Sequence, residues 1–438
     1  MSSEFVDMAD LKIGMFVEIE LGWMAHPFPT NSFKISTTKQ VEVIRTLGLK
    51  RVRFVPAKSD PQFNPAMQAA AAAAVSASAL LGLTSVGHDA QERDAAFEAQ
   101  KEQRRQHSAL LNAQTLSLAA CEKRFGQALQ QYKQSISRVA TDPKAATQQC
   151  MQLIASFTDD MIADGESAIR LLSDGMGDRA NMHPVNVTVV SLLLGKAMAM
   201  SRDELVDLGM AAFLHDAGKS QLPDRVRWLD DNFSTAEYKM YQDHVARGVD
   251  LGRQMGLSPG SLLAIAQHHE MIDGSGFPAK TKGEKMSRPA KVLALINRYE
   301  NLCNPSRPAA AMTPHEALSL IFAQLKARFD GSVLSAFIRM MGVYPPGSIV
   351  QLVDERYAMV VAANSSRPLK PRVFVHDRDI PKHEALILDL ENTPSVGIRR
   401  SVKPVNLPVE SYEYLSPRQR IGYFFESASG PAPLEPQG

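Results

Sequence analysis

The chain has 438 residues, 45% of them hydrophobic, and a formal net charge of +1. That length accommodates two or three domains with buried cores. The near-zero charge excludes bulk electrostatic attraction to DNA, RNA or anionic lipid, so any nucleotide must be held by a local site. Three widely spaced cysteines, Cys121, Cys150 and Cys303, give neither a disulfide framework nor a cysteine zinc site, and point to a reducing compartment, the cytoplasm.

The first residues lack a basic start followed by an apolar run, so no signal peptide is expected. Residues 1–60 read as a small α/β domain. Phe16 to Leu21 alternates apolar and polar as a strand does, Val41 to Leu49 has the spacing of a short helix, and Arg51 to Val55 alternates again. Residues 61–100 are Ala-rich and low in complexity, an expected linker. Their stretch Ala66 to Val86 has too few Leu, Ile, Val or Phe for a membrane span. Residues 101–172 read as a charged helical segment with a solvated face, interrupted at Asp142-Pro143, and a candidate for homodimerisation.

Residues 173–345 are expected to form an all-helical core. Ser201 with Glu204, and Ser234 with Glu237, have capping-box spacing, while Ser258-Pro259 and Thr313-Pro314 place proline at a first helical position. Residues 346–415 turn β-rich, with strand patterns at 349–353, 357–363 and 372–375, and residues 416–438 read as a disordered tail. The expected class is mainly α: a helical core, a small N-terminal α/β domain and a short β-rich C-terminal extension.

Five of the 11 histidines, His183, His215, His244, His268 and His269, lie between residues 183 and 269. His215 and Asp216 are adjacent, and helical spacing would place Lys219 on their face. A second run reads His268-His269-Glu270-Met271-Ile272-Asp273-Gly274-Ser275-Gly276-Phe277-Pro278. Imidazole and carboxylate are the usual ligands of manganese, iron and zinc. A carboxylate bridges two ions more easily than an imidazole, and two ions together can activate water against a phosphodiester. A nearby lysine adds charge for a phosphate oxygen. A lone histidine reads more readily as a packed core residue. Two adjacent buried imidazoles need several partners, however, and the five histidines with Asp216 together point to a metal site.

These motifs resemble the HD-GYP subgroup of the HD phosphohydrolase superfamily. It shows a leading His, His-Asp-x-Gly-Lys, a third His, His-His-Glu-x-x-Asp-Gly-x-Gly-Tyr-Pro and a final Asp on a helix. The resemblance covers roughly residues 165–400, and the opening Leu11-Lys-Ile-Gly-Met-Phe-Val is similar to a small domain that often precedes such modules in bacteria. It implies two divalent ions, iron or manganese. His183, His215, Asp216 and the final Asp would hold one; Asp216, His244, His268 and His269 would hold the other. Lys219 would contact the scissile phosphate. It also implies cyclic di-GMP as substrate, with pGpG, GMP or both as product, and signalling partners for the N-terminal domain.

Three departures stand out. Asn297 occupies the place of the final Asp and offers only a neutral carbonyl oxygen, so it is expected as a weak ligand. Phe277 replaces the tyrosine, and Arg179 stands where some members have a glutamate for a third metal. The Asn297 departure leaves open a module that binds nucleotide or protein without turnover, and a hydrolase of another nucleotide is a further alternative. Glu270 is expected either to orient His269 or a water, or to form a surface salt bridge. Asp273, Gly274 and Gly276 are expected to shape a turn.

Overall fold

The computed structural model describes residues 4–20, 28, 31–63, 86–139, 141–163, 167–364, 369–393 and 395–427. The chain forms two compact units, Met1–Lys101 and Glu102–Gly438.

In the first unit, strands β1 (Glu4–Asp7), β2 (Phe16–Glu18), β3 (Ser32–Lys34) and β4 (Arg51–Phe54) form an antiparallel sheet in the order β1-β4-β2-β3. Helix α1 (Thr38–Arg45) starts at a capping box made by Thr37 and Gln40 and buries Val41 and Ile44 against Val17, Ile35 and Val52. The sequence reading missed β1 and β3, the two edge strands, which bury no residue and so need no apolar alternation. Of the expected linker, residues 64–85 lie outside the described residues. Its later part is already helix, because α2 spans Val86–Arg138. The Ala, Gln and Glu that lowered complexity there are also strong helix formers.

In the second unit, residues 102–108 of α2 are exposed. Further along, Cys121, Phe125, Leu129 and Tyr132 recur at helical spacing and are buried, so this segment lays an apolar stripe into the core. Asp142 starts α3 (Pro143–Ala163) by accepting from the Ala145 amide at 3.1 Å.

The next element corrects two expectations. Residues 167–171 were read as helix and residues 423–427 as disordered tail. They are strands β5 (Ser167–Leu171) and β11 (Tyr423–Ser427), paired antiparallel, with Phe424 and Phe425 fully buried. The pairing joins segments about 250 residues apart, so neither strand shows its partner locally, and strand preference depends on that partner.

Helices α4 (Arg179–Ala197), α5 (Arg202–Leu214), α6 (Thr235–Met255), α7 (Pro259–Gln267), α8 (Arg288–Cys303), α9 (Pro314–Gln324) and α10 (Gly331–Met341) build the core. Helix α4 is buried continuously from Met182 to Gly195, as suits an element that is apolar on every face. The capping boxes at Ser201 and Ser234 form, and Ser258 and Thr313 cap helices with proline in the first turn. Beyond them, β6 (Ile349–Leu352), β7 (Tyr357–Asn364), β8 (Arg372–Val375), β9 (Ile387–Asp389) and β10 (Ile398–Val402) complete a seven-stranded antiparallel sheet. Its order is β10-β6-β7-β5-β11, with β8 on β7 and β9 on β8. A last helix, α11, spans Val409–Leu415. No helix among the described residues is long and apolar enough to cross a membrane.

After α5 the chain tightens into a 3-10 turn, Ala217–Gln221, pressed against α6. A Cβ on Gly218 would meet the His244 carbonyl oxygen at 2.0 Å and the Gly248 nitrogen at 2.5 Å. Both neighbours are backbone and cannot step aside. Gly218→Ala is therefore expected to cost roughly 1–3 kcal/mol through overpacking. Urea unfolding would read this as a lowered midpoint, and an unchanged midpoint would contradict the close approach.

Candidate metal centre

The sequence-predicted residues come together from four helices. His183 projects from α4 and His244 from α6, while His215 and His268 are the terminal caps of α5 and α7, each followed by its partner Asp216 or His269. Lys219 does reach the His-Asp pair, but through the 3-10 turn and not along an α-helical face. With three residues per turn, positions i and i+3 stack, and Lys219 Nζ lies 2.6 Å from Asp216 Oδ2.

The proton positions on the imidazoles follow from their partners. Nδ1 of His215, His244 and His268 lies 2.8, 2.5 and 2.6 Å from the carbonyl oxygens of Ala212, Tyr241 and Ile265. A carbonyl oxygen only accepts, so each Nδ1 carries the hydrogen. His183 Nδ1 is hydrogen-bonded to the Glu300 carboxylate, which also only accepts. A neutral imidazole has one N–H, so all four Nε2 atoms present lone pairs. Those lone pairs face one another, with His183 and His215 Nε2 3.1 Å apart and His244 and His268 Nε2 3.3 Å apart.

Asp216 sits between the two pairs. Its Oδ2 is 3.6 and 3.5 Å from Nε2 of His183 and His215, and its Oδ1 is 3.7 and 3.9 Å from Nε2 of His244 and His268. Burial pushes the His215 pKa down to about 4 and those of His244 and His268 down to about 3; it also holds His269 well below the usual imidazole value. Burial opposes ionisation of Asp216, but Lys219 and then the surrounding imidazoles outweigh it and keep the carboxyl well below its ordinary value.

Buried acceptors that converge without a shared hydrogen are costly unless a cation sits among them. Two further orphans make the same point: Asp216 Oδ1 and His269 Nε2 are buried without a hydrogen-bond partner. Ligand atoms of Asp216, His244, His268 and His269 lie within 4.8 Å of one another, as do those of His183, His215 and Asp216. This mixed nitrogen and oxygen donor set fits divalent transition ions.

Glu300 was missed from sequence. It is fully buried, binds His183 Nδ1, and receives the side-chain amides of Asn186 at 3.2 Å and Asn304 at 2.8 Å. Burial would raise its carboxyl, but His183 and the further hydrogen bonds hold it lowered. Both asparagine amides also donate to the Ile421 carbonyl oxygen at 2.8 Å. The available signal was spacing: Glu300 follows Asn297 by three residues on α8, one turn along the same face.

Asn297, expected as a weak ligand, is buried, and its side-chain oxygen accepts from Asn301 Nδ2 at 2.7 Å. Arg179 donates to Asn301 Oδ1 and to the Asn304 carbonyl at 2.9 and 2.7 Å. Glu270 is not the surface salt-bridge partner that was one of its two expected roles. It is fully buried and accepts the amides of Ala279 and Thr281 at 2.7 and 2.8 Å, so it pins the following loop. That loop passes so close that a Cβ on Gly276 would meet the His269 carbonyl oxygen at 2.4 Å. Asp273 Oδ1 accepts from the Ser275 amide at 2.9 Å, Gly274 has φ +79°, and the Phe277-Pro278 peptide is cis. The Phe277 ring stacks on His269 with centroids 4.4 Å apart. The centre opens onto a cleft of about 380 Å³ whose lining includes Lys219, Trp228, Tyr241, Arg179, Arg298 and Arg307.

Residues 149–333 match the HD domain, and residues 4–150 match a domain of unknown function (DUF3391). A cyclic di-GMP phosphodiesterase of Pseudomonas aeruginosa is 24% identical over 374 residues, 84% of each chain. An HD domain thus spans residues 149–333, and along most of its length the chain is similar to HD-GYP phosphodiesterases. A 3'3'-cGAMP-specific phosphodiesterase of Vibrio cholerae shares 26% identity with this chain over 165 residues, 37% of this chain and 35% of its own length. A solved HDG"Y"P protein from Bdellovibrio bacteriovorus aligns with 77% of this chain and 98% of its own, at 11% identity and a TM-score of 0.42.

Two outcomes test the centre. Glu300→Gln removes the negative charge behind His183, and such supporting groups typically contribute 10- to 100-fold to metal affinity, roughly the loss expected in a chelator competition. For metal-free protein, His215, His244 and His268 titrate at about 4, 3 and 3, against 6.5 for a free imidazole. Between those values the unfolded chain binds more protons, so stability falls as pH drops below 6.5. Melting temperatures should decline steadily across that window, and a flat profile would contradict neutral buried imidazoles.

Proposed function

We propose that this protein is a metal-dependent phosphodiesterase that hydrolyses cyclic di-GMP to pGpG, GMP or both. The observation that carries this reading is the convergence of neutral imidazole lone pairs on one ionised carboxylate, at the wall of a cation-lined cleft. The relatives described above, named for action on cyclic dinucleotides, support the substrate class.

His183, His215 and Asp216 would hold one divalent ion, and Asp216, His244, His268 and His269 a second, with iron or manganese suited to these donors. When bound, the ions supply activated water and charge opposite the phosphoryl oxygens. Asp216 serves both groups by presenting one oxygen to each pair of imidazoles. Lys219 lies beside it as the phosphate-facing cation. Burial opposes its charge, but Asp216 and then Tyr241 keep its pKa raised, so it stays protonated at neutral pH. Trp228 flanks the same space, with Arg179 4.9 Å and Lys219 5.4 Å from its ring centre, offering a flat surface beside a positive wall.

One observation favours a second reading, binding without turnover: Asn297 is neutral and its oxygen is engaged by Asn301. The test is turnover of cyclic di-GMP with manganese or ferrous iron, beside 3'3'-cGAMP. Asp216→Ala is expected to reduce the rate about a thousandfold or more, as loss of a principal electrostatic group does. Asn297→Asp is expected to raise metal affinity and rate together. Tight binding without hydrolysis under every metal would replace the proposal with the second reading, and preferential cleavage of 3'3'-cGAMP would change the substrate.

A further inference from the structure

A second cleft, of about 510 Å³, opens within the Glu102–Gly438 unit and shares no residue with the metal centre. Leu118 of α2, Leu171 of β5, Met359 and Val361 of β7, Phe374 of β8 and Ile387 of β9 make its wall apolar. Its polar end is one-signed: Arg170, Lys382 and Arg418 line it, and no Asp or Glu does.

These cations are unevenly neutralised. Arg170 is only 5% exposed, and its Nε has no hydrogen-bond partner. The nearest carboxylate oxygen, on Glu426, is 3.8 Å from Arg170 Nη1 and lies 3.2 Å from Arg372. Arg418 donates to the carbonyl oxygens of Leu172 and Ser416 at 3.1 and 3.2 Å, and the carboxylates of Asp174 and Glu122 offset its charge. Lys382 donates to Ser416 Oγ at 2.7 Å, and no carboxylate pairs with it among the described residues. Burial and then the neighbouring Arg418 lower the Lys382 pKa, as a cation facing another cation requires. An open apolar cleft with a few convergent polar groups is the usual form of a small-molecule site.

We propose that this cleft binds a medium-chain alkyl carboxylate, with the chain along the Leu118, Val361 and Phe374 wall and the carboxylate among Arg170, Lys382 and Arg418. A monoanion suits the site because Lys382 is the lining cation on which no carboxylate of the described residues acts. A phosphate dianion would bring more charge than the cluster leaves unbalanced. The inference is independent of the reaction proposed for the metal centre.

Calorimetric titration of the full chain with submicellar decanoate, decanol and decyl phosphate tests it. Decanoate is expected to bind saturably and about tenfold or more tighter than decanol, the scale of charge-assisted hydrogen bonds. It is also expected to bind tighter than decyl phosphate. Two variants at exposed positions keep the fold, as circular dichroism and melting would verify. Lys382→Glu should weaken decanoate about tenfold and spare decanol. Thr115→Trp, on the cleft edge of α2, should abolish both. Absence of saturable decanoate binding overturns the proposal, as does decanol binding equally well or decanoate affinity surviving either variant. Tighter binding of decyl phosphate would overturn the carboxylate assignment.

Discussion

Everything in the second unit is arranged around one electrostatic demand: four imidazoles must keep their hydrogens turned away from a shared centre. Three of them do so with the same device, a bond from Nδ1 to the carbonyl oxygen three residues earlier. That carbonyl belongs to the residue's own helix, so ring orientation is set by local backbone geometry. The fourth, His183, sits on a helix buried on all sides and uses a carboxylate from a different helix. Local geometry thus fixes three rings, and tertiary packing must fix the last. Since an imidazole is a ligand only through an unprotonated nitrogen, the outward hydrogens decide what the centre can hold.

Asp216 answers those lone pairs with negative charge, and its position depends on a change of helical pitch. At Leu214 the α-helix ends, and the tighter turn that follows brings Lys219 directly over the carboxylate. The turn can lie against α6 only because Gly218 has no side chain. A His-Asp pair in mid-helix would carry the same letters and would not place the lysine in the same way.

Much of this was legible in the residues, for identifiable reasons. Capping boxes and first-turn prolines depend on spacings of three residues or fewer, so helix starts in the core could be read directly. The five histidines and Asp216 carry their chemistry in their residue types. What could not be read depends on distant partners. Glu270 resembles a surface acid until the loop that returns over it supplies two amides. Glu300 is an ordinary helix residue until His183 packs on it from α4. Strands β5 and β11 are unremarkable apart, and the polar composition around Tyr423-Phe424-Phe425 disguised a buried strand as tail. The Ala-rich stretch misled in the opposite direction, since the residues that lower complexity also favour helix.

The β5–β11 pairing has a bearing on the order of events during synthesis. Residues just ahead of β11 do more than lead into the sheet, because the Ile421 backbone grips Asn186 and Asn304, the two amides that hold Glu300 behind His183. A ribosome delivers these residues some 240 positions after the first histidine of the centre. Until they emerge, the carboxylate that disciplines His183 lacks its clamp, and β5 presents an unmated edge. The nascent chain therefore carries its donor atoms long before they are arrayed for a cation, and maturation of the centre waits for the segment around Ile421.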